Sequence, residues 1–448
     1  MNKRITIIGA GPGGYVAAIR AGKMDAKVTL IEKNEIGGVC LNEGCIPTKI
    51  LNRNAEVIGQ VARAAEFGVV IPGYSLDFGR IMARKDQIVS RLKSGVSGLL
   101  KRAGVEVLRG TAYIESPDRV RVTLADGSEQ TVLCDDLIVA TGSQPFLPPI
   151  KGIEHAVTNR EVLSLKKIPQ SMLVIGGGVI GIELASIFQR FAVDVTVLEM
   201  QQQILPPLDA DVAAELTREL KKAGVKLHTS CAVEEITPEA SGFCVRAGGQ
   251  TFHAELVLAA IGRRAVLPEG DVALNCEHGA ICTDEYMRTN VPHVYCIGDA
   301  NGKHQLAHVA SAEALVAVDH IMGGQRKMSY RVVPSVIYSF PEVACVGMKE
   351  QEIVGVKKGT FPYAACGKAM AMGETAGYAK ILAEPEYQEL VGAQIIGQDA
   401  AVLIGELCMA MQLEATTREV AETIHAHPSL SEIIMEACED VDGQAVHK

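Results

Sequence analysis

The chain has 448 residues, of which 48% are hydrophobic and 21% are charged, and its formal net charge is −10. This length exceeds what one hydrophobic core supports, so it predicts two to four domains. Nucleic-acid or anionic-membrane binding would require basic patches, whereas the acidic residues here are spread along the chain, so neither partner is expected. No apolar run approaches the roughly 18–20 residues that span a bilayer.

The N-terminus predicts a buried strand rather than a secretion signal. Two basic residues precede an apolar stretch, but that stretch runs only about five residues before Gly9, shorter than the usual 7–15 of a signal peptide. Most of the twelve cysteines stand singly in apolar strands. That usage is typical of buried thiols in a reducing compartment, so a cytoplasmic protein is expected.

The first chemical motif is a dinucleotide-binding unit. The sequence "ITIIGAGPGGYVAAIRAG" combines an apolar strand, the glycines Gly9, Gly11 and Gly14, and the start of an alanine-rich helix. In such a unit the first glycine makes the turn, the second lets the backbone approach a pyrophosphate, and the third lets the helix pack on the strand. Glu32 ends the next strand, where its carboxylate can bind ribose hydroxyls.

The same pattern occurs a second time. "SMLVIGGGVIGIELASIF" carries Gly176, Gly178 and Gly181, and Glu199 closes the following strand. One glycine pattern is weak evidence, but two complete units leave little room for coincidence. Because a carboxylate at position 199 would repel a 2′-phosphate, NAD is favoured over NADP. Two dinucleotides in one chain usually pass electrons between them, and flavin is the common carrier from nicotinamide to sulfur.

Two cysteines, Cys40 and Cys45, lie in a glycine-punctuated loop directly after the first unit, which makes that unit the better candidate for the flavin site. The pair could be idle core thiols, metal ligands or a redox-active disulfide. No second Cys or His pair stands near them, so a zinc site is disfavoured and no metal is expected. Residues five apart in a helix lie about 8.6 Å apart at Cα, whereas disulfides need roughly 4.4–6.8 Å. Gly44 allows a tighter backbone, and Pro47 restricts the chain as it enters the following helix. Because a helix start lowers a thiol pKa, the redox disulfide is favoured.

A candidate base lies near the other end of the chain, in "TIHAHPSLSEIIMEA". There His427 precedes Glu432, which lies at the predicted start of a helix. A carboxylate in that position can hold one imidazole nitrogen and leave the other to act as acid or base. His425 lies two residues before His427, so only one of the two is expected to be functional.

Together these stretches resemble the flavin-dependent pyridine-nucleotide disulfide oxidoreductases over essentially the whole chain. "ATGSQP" is similar to the family's second flavin-domain signature, and "RTNVPHVYCIGDAN" is similar to its third, in which Asp299 would bind the ribityl and phosphate portion. "LAHVA" resembles the segment under the isoalloxazine ring. The further cofactor-binding positions that the resemblance implies are Thr141, Gly142, Gly262 and Ala307.

The resemblance also implies roles around the disulfide. Cys40 would be the interchange thiol that meets the substrate sulfur, and Cys45 would be the thiolate next to the flavin. Lys49 would lie by flavin N5 and pair with Glu183 of the second unit.

Within the family, the similarity is greatest to enzymes that oxidise dihydrolipoamide. His427 and Glu432 would then form a base dyad that reaches Cys40 across a homodimer interface. Electrons would pass from protein-bound dihydrolipoamide through the disulfide and FAD to NAD+. The lipoyl group is expected from a partner, either a lipoyl-bearing domain or a carrier protein of a 2-oxo-acid dehydrogenase, an acetoin dehydrogenase or the glycine cleavage system. The alternatives are another NAD(P)H-dependent disulfide reductase of this fold, or a flavoprotein redox sensor or scaffold.

The predicted fold is α/β, with two Rossmann-like dinucleotide-binding domains and a C-terminal α+β dimerisation domain. The predicted FAD domain covers residues 1–147 and the NAD domain covers 148–263. A central segment, 264–333, completes the FAD domain, and the interface domain covers 334–448.

Overall fold

Strands and helices alternate through the N-terminal half of the structure, a computed structural model that describes residues 3–448. In chain order the strands are β1 Arg4–Ile8, β2 Lys27–Glu32, β3 Glu106–Ser116, β4 Arg119–Leu124, β5 Glu129–Leu133, β6 Asp136–Val139, β7 Ser143–Pro145, β8 Ser171–Ile175, β9 Asp194–Leu198, β10 Lys226–His228, β11 Val233–Glu239, β12 Gly242–Ala247, β13 Gln250–Ala254, β14 Leu256–Ala259, β15 Arg263–Ala265, β16 Glu269–Gly270, β17 Cys276–Glu277, β18 Ala280–Ile281, β19 Val294–Cys296, β20 Ser335–Ile337, β21 Glu342–Gly347, β22 Lys357–Pro362, β23 Tyr378–Ala383 and β24 Leu390–Gly397.

The α-helices are, in the same order, α1 Pro12–Lys23, α2 Gly38–Glu43, α3 Cys45–Ala62, α4 Phe78–Arg102, α5 Asn159–Val162, α6 Val179–Arg190, α7 Ala210–Lys222, α8 Ala307–Ile321, α9 Gly367–Met372, α10 Ala400–Gln412, α11 Thr417–Glu422 and α12 Glu432–Glu439. Across residues 3–448, no helix combines the length and the apolarity that a membrane span requires.

The first sheet has the strand order β19-β6-β1-β2-β3-β4-β5. Its first five strands run parallel, and β4 and β5 continue it antiparallel. The fully buried run in β1 and β2 reflects a parallel sheet covered on both faces. Strand β19 returns to this sheet after the chain has built the second dinucleotide unit. Its pairing supports the predicted role of the central segment, while the boundaries at 147, 263 and 333 stay a prediction.

The second sheet is parallel throughout, in the order β10-β9-β8-β14. Its core continues under helix α6, where Ile182, Ile187 and Phe188 are fully buried. A separate three-stranded antiparallel sheet, β11-β12-β13, packs against the same unit. The sequence prediction of two Rossmann-like units is therefore confirmed.

The C-terminal part contains an antiparallel sheet in the order β20-β21-β24-β23-β22, with α10 and α12 packed on it. Lys380 of β23 is fully buried, and its Nζ lies 2.9 Å from Asp209, 2.9 Å from Asp211 and 2.6 Å from Glu350. Asp209 and Asp211 lie at the start of α7 in the second dinucleotide unit. A buried cation surrounded by three carboxylates therefore fixes the C-terminal sheet against that unit.

Candidate active site

The segment that carries the two cysteines is more helical than the sequence predicted. The prediction of a loop around Cys40 is wrong, because Gly38–Glu43 forms the short helix α2. Helix α3 begins at Cys45, and Gly44 separates the two helices with φ −144° and ψ −112°. This break at glycine supplies the departure from regular helix geometry that a five-residue disulfide spacing requires.

Both cysteines are free in this structure, so the disulfide between them stays a prediction. The interaction between the two thiol groups has the largest effect on the pKa of each. It raises the pKa of Cys40, to which burial also contributes. It lowers the pKa of Cys45 to about 7, and the nearby charge of Lys49 adds to that lowering while removal from water opposes it. The pair therefore divides into one thiol that keeps its proton and one that ionises near neutral pH.

Lys49 lies one turn into α3 and forms an ion pair with Glu183, as the resemblance implied. Its Nζ is 2.9 and 2.8 Å from the two carboxylate oxygens. Glu183 is buried in α6, so this contact joins the cysteine helix to the second dinucleotide unit. Tyr338 was not predicted at this site. Its ring centroid lies 4.3 Å from Lys49 Nζ, and its backbone N–H donates to Glu183 Oε1 at 3.0 Å.

The first glycine turn has the geometry that the motif demands. Gly9 has a φ of +102°, which favours glycine, and a Cβ on Gly14 would lie 1.8 Å from the carbonyl oxygen of Gly9. At Gly11, by contrast, no atom lies within 4 Å of an added Cβ. Glu32 accepts the backbone N–H of Ala10 at 2.7 Å, so its carboxylate is fixed beside this open space.

The second turn repeats these features closely. Gly176 has a φ of +107°, and a Cβ on Gly181 would lie 2.1 Å from the Gly176 carbonyl oxygen. An added Cβ on Gly178 again meets nothing within 4 Å. Glu199 accepts the backbone N–H of Gly177 at 2.6 Å. Each unit therefore offers an open helix N-terminus with a carboxylate at the end of the adjoining strand.

Asp299 lies in a short 3₁₀ turn, 298–301, directly after β19. Its carboxylate accepts a hydrogen bond from the hydroxyl of Ser143. Arg263 donates to the Ser143 hydroxyl at 2.8 Å and to its carbonyl at 2.7 Å. Sequence reasoning did not select Ser143 or Arg263, although both directly follow glycines that it did select.

The segments around Gly142 and Gly262 meet through the short antiparallel pair of β7 and β15. The hydroxyl of Thr141 donates to the carbonyl of Val266, and the N–H of Val266 donates to the carbonyl of Gly142 at 2.9 Å. The N–H of Phe146 donates to the carbonyl of Gly262 at 3.0 Å. The two glycines, Thr141 and Asp299 therefore belong to one connected region, although they are distant in sequence.

A buried carboxylate, Glu313, supports the turn that carries Asp299. It accepts the N–H of Gly298 at 2.6 Å, the side-chain amide of Asn301 at 2.9 Å and the hydroxyl of Tyr330 at 2.6 Å. Its burial raises its pKa, and the three hydrogen bonds oppose that rise. Glu313 lies near the middle of α8, the helix that begins at Ala307, so it ties that helix to the Asp299 turn.

The predicted contact between His427 and Glu432 is present, while their role as a base stays a prediction. His427 Nδ1 lies 2.9 Å from Glu432 Oε1, at the first residue of α12. The other carboxylate oxygen accepts the Ser429 N–H at 2.9 Å, and that bond lowers the Glu432 pKa, with a smaller contribution from His427. The His427 side chain is 79% exposed. Within residues 3–448 its Nε2 makes no hydrogen bond, so this nitrogen can accept a proton.

The neighbouring His425 differs from His427 in its exposure and in its hydrogen bonds. Its side chain is only 5% exposed, its Nδ1 lies 2.7 Å from the Thr423 carbonyl, and its Nε2 lies 2.7 Å from Glu406. Both ring nitrogens are therefore engaged, which leaves His427 as the histidine suited to proton transfer. In the described part of the chain, no hydrogen bond or ion pair joins the dyad to Cys40 or Cys45.

A cleft of about 190 Å³ opens beside Cys40. Its lining is largely apolar and includes Tyr15 of α1, Leu41 of α2, and Leu92 and Val96 of α4. The cleft therefore offers a path for an aliphatic ligand to the less acidic of the two thiols.

Comparison with known proteins agrees with this geometry. The family model described as pyridine nucleotide-disulphide oxidoreductase matches residues 3–314, and the model of that family's dimerisation domain matches residues 333–438. The chain belongs to this family. The second match also indicates that members of this family, this chain included, form homodimers through the C-terminal domain.

Curated relatives of this oxidoreductase extend over nearly the whole chain. A dihydrolipoyl dehydrogenase of Chlamydia muridarum is 40% identical in an alignment of length 446 that covers 96% of this chain and 95% of the relative. A dihydrolipoyl dehydrogenase of Bacillus subtilis is 39% identical in a gapped alignment of length 470 that covers 99% of this chain and 98% of the relative.

Solved structures with the same fold cover nearly the whole chain. LpdA of Mycobacterium tuberculosis has a TM-score of 0.91 at 28% identity, covering 98% of this chain and 99% of that chain. The HOCl-induced flavoprotein disulfide reductase RclA of Escherichia coli has a TM-score of 0.88 at 28% identity, covering 97% and 99%.

Proposed function

We propose that this oxidoreductase catalyses the dihydrolipoyl dehydrogenase reaction, in which protein-bound dihydrolipoamide is oxidised to lipoamide and NAD+ is reduced to NADH. The observation that carries the proposal is the interacting pair Cys40 and Cys45, with Lys49 one turn away. Relatives about 40% identical over nearly their full length carry this enzyme name.

The two dinucleotide turns fit FAD and NAD. An added Cβ at Gly11 or Gly178 meets no atom within 4 Å, so a pyrophosphate can approach the backbone at each turn. The carboxylate of Glu199 favours NAD, because a 2′-phosphate would be repelled there. We assign FAD to the first unit, which directly precedes the cysteines. FAD, when bound, accepts the electron pair of the enzyme dithiol and passes it as a hydride to NAD+.

The chain's own sulfurs carry the first half of the reaction. A substrate thiolate attacks Cys40 in the enzyme disulfide, a substrate–Cys40 bond forms, and Cys45 leaves as a thiolate. The second substrate thiolate then attacks the substrate sulfur of that mixed disulfide, which releases lipoamide and Cys40. A leaving thiol of low pKa leaves faster, and the lowered pKa of Cys45 suits it to this step.

The dyad of His427 and Glu432 supplies the base for this half-reaction. Glu432 fixes the imidazole through Nδ1, so that Nε2 accepts the proton of the attacking substrate thiol. We propose that the dyad of one subunit serves the cysteines of the other. The matched dimerisation domain, which includes His427 and Glu432, supports this arrangement.

The electron donor is a lipoyl group carried by another protein. We propose a lipoyl-bearing domain or carrier protein of a 2-oxo-acid dehydrogenase, an acetoin dehydrogenase or the glycine cleavage system. The apolar cleft beside Cys40 supports entry of an aliphatic arm. We also propose a cytoplasmic location, because buried single thiols such as Cys134 and Cys296 suit a reducing compartment.

Exchange of Cys40 for serine tests the proposal. We expect Cys40→Ser to lose dihydrolipoamide turnover by at least about 10²-fold, while NADH still reduces the bound flavin. Cys276→Ser is the matched control, because Cys276 is an exposed cysteine of β17 outside the site, and its turnover should be unchanged. Normal turnover in Cys40→Ser would refute the role of the cysteine pair.

A further inference from the structure

A second cluster of chemically reactive side chains lies on the outer three-stranded sheet of the second dinucleotide unit. It consists of Glu239 on β11, Cys244 on β12 and His253 on β13, and one ligand atom of each lies within 4.8 Å of the other two. His253 Nδ1 is already 3.0 Å from Glu239 Oε2. None of these residues belongs to the redox site described above.

The strand register brings the three side chains to one face. Cys244 and His253 are direct cross-strand partners, and Glu239 is paired with Gly242, two residues before Cys244. Because side chains alternate along a strand, all three project to the same side of the sheet. The opposite face carries the buried Ile236 and Val245, which pack into the core of the unit. The cluster is therefore accessible to solvent on a rigid, core-backed support.

We propose that Glu239, Cys244 and His253 form a binding site for a divalent transition-metal cation, with Zn²⁺ as the ion that the ligand set suits. Thiolate, imidazole and carboxylate are the three ligand types that proteins use for zinc. A thiolate and a carboxylate together also neutralise the two positive charges of the ion. Hard cations such as Mg²⁺ and Ca²⁺ are disfavoured, because they take all-oxygen ligand sets.

The surroundings leave the fourth coordination position open. His253 and Gly242 also line a cleft of about 650 Å³, whose other walls include Lys167, Ser171 and Glu255. Lys167 and Glu255 form an ion pair at 2.8 Å, so the charges of these two cleft residues neutralise each other. The cleft gives the cation a path from solvent and leaves room for water or a small ligand as the fourth donor.

Binding is tested on the air-oxidised holoenzyme, in which the redox pair offers no free thiol. Titration calorimetry with ZnCl₂ should give one site per chain, and Cys244→Ser and His253→Ala should each weaken it by about 10-fold or more. Glu239→Gln, which keeps the side-chain size, should also weaken binding. The matched control is Cys276→Ser, since this exposed cysteine lies outside the cluster and its variant should bind Zn²⁺ as the unmodified protein does.

A Co²⁺ titration reports the ligands directly. Tetrahedral Co²⁺ bound to a thiolate should give long-wavelength visible bands, where oxidised flavin does not absorb, and Cys244→Ser should remove them while flavin content and turnover stay unchanged. The proposal is overturned if the unmodified chain takes up no Zn²⁺ or if Cys244→Ser binds it equally well. It is also overturned if replacing Cys40 and Cys45, rather than Cys244, abolishes binding. None of these outcomes depends on which dithiol the enzyme oxidises.

Discussion

At the residue scale, the thiol of Cys45 combines several influences that favour its ionised form. It interacts with the thiol of Cys40, it lies near the ammonium group of Lys49, and it is the first residue of helix α3. Helix N-termini and nearby cations are the common causes of a low cysteine pKa. Cys40 shows the reverse, because its pKa is raised by its partner and by burial.

This difference predicts the pH dependence of alkylation in the reduced protein. The iodoacetamide reaction of Cys45 should rise with pH through a midpoint near 7, since only the thiolate reacts, whereas Cys40 should stay slow over that range. Lys49→Met should move the Cys45 midpoint to higher pH, because the cation that stabilises the thiolate is removed. Peptide mass spectrometry of quenched samples measures both rates. An unshifted midpoint in Lys49→Met, or a shift of equal size in the exposed-lysine control Lys101→Met, would contradict this assignment.

At the element scale, the glycines of each dinucleotide turn have separable roles. In the second unit an alanine at Gly181 would collide with the Gly176 carbonyl oxygen, whereas an alanine at Gly178 would face open space. The close approach of Gly181 to Gly176 joins α6 to the end of β8. Gly178, in contrast, lies where a pyrophosphate would approach the backbone.

The two substitutions should therefore fail in different ways. Gly178→Ala should fold normally, keep its flavin and show a KM for NAD+ raised about 10-fold or more. Gly181→Ala should instead lower the thermal midpoint, because the helix must move away from the strand. Thermal unfolding followed by circular dichroism, together with steady-state kinetics, separates the two outcomes. A Gly178→Ala variant with unchanged NAD+ kinetics would show that the dinucleotide does not approach this turn.

Elements defined by local sequence patterns were predictable from the sequence, whereas contacts between distant segments were not. Both dinucleotide units and helix α3, which begins at Cys45, were predictable, because each depends on glycine, cysteine or apolar spacing over a few tens of residues. The contacts of Tyr338 with Lys49, and of Arg263 with Ser143, join segments separated by more than a hundred residues, and no local pattern signals them.

The cluster on the three-stranded sheet β11-β12-β13 was also not predictable from the sequence. No metal site was predicted from the sequence, because Glu239, Cys244 and His253 follow no ligand-spacing motif. Only the register of β11, β12 and β13 brings them to one face. The helical form of residues 38–43 was missed for a different reason, because the glycines at positions 37, 38 and 44 favour a loop by propensity and tertiary packing overrides it.

At the scale of the whole molecule, the proposed catalytic groups are divided between distant parts of the chain. The cysteine pair lies beside the first dinucleotide turn, whereas the dyad lies in the dimerisation domain, and in the described residues no hydrogen bond or ion pair joins it to either cysteine. A dimer that places the dyad of each chain against the cysteines of the other would bring them together. Each active site would then need both subunits.

Mixed dimers test this arrangement. A dimer of one Cys40→Ser subunit and one His427→Gln subunit contains one fully intact site if the dyad acts across the interface, so it should recover about half of normal turnover. If the dyad acted within its own chain, both sites would be damaged and activity would stay as low as in the parent variants, which we expect to be reduced about 10²–10⁴-fold for His427→Gln. Two differently tagged chains, co-expressed and purified in tandem, provide the mixed dimer for steady-state assays.

The central claim is that Cys40 and Cys45 exchange electrons with a dithiol substrate on one side and with bound flavin on the other. Anaerobic titration of the oxidised holoenzyme with dihydrolipoamide, followed by absorbance, tests it most directly. We predict a long-wavelength band that develops over one equivalent of dithiol per chain, from the Cys45 thiolate against the flavin, and that is missing in Cys45→Ser. A flavin spectrum that stays fully oxidised, with no such band after excess dithiol, would contradict the account.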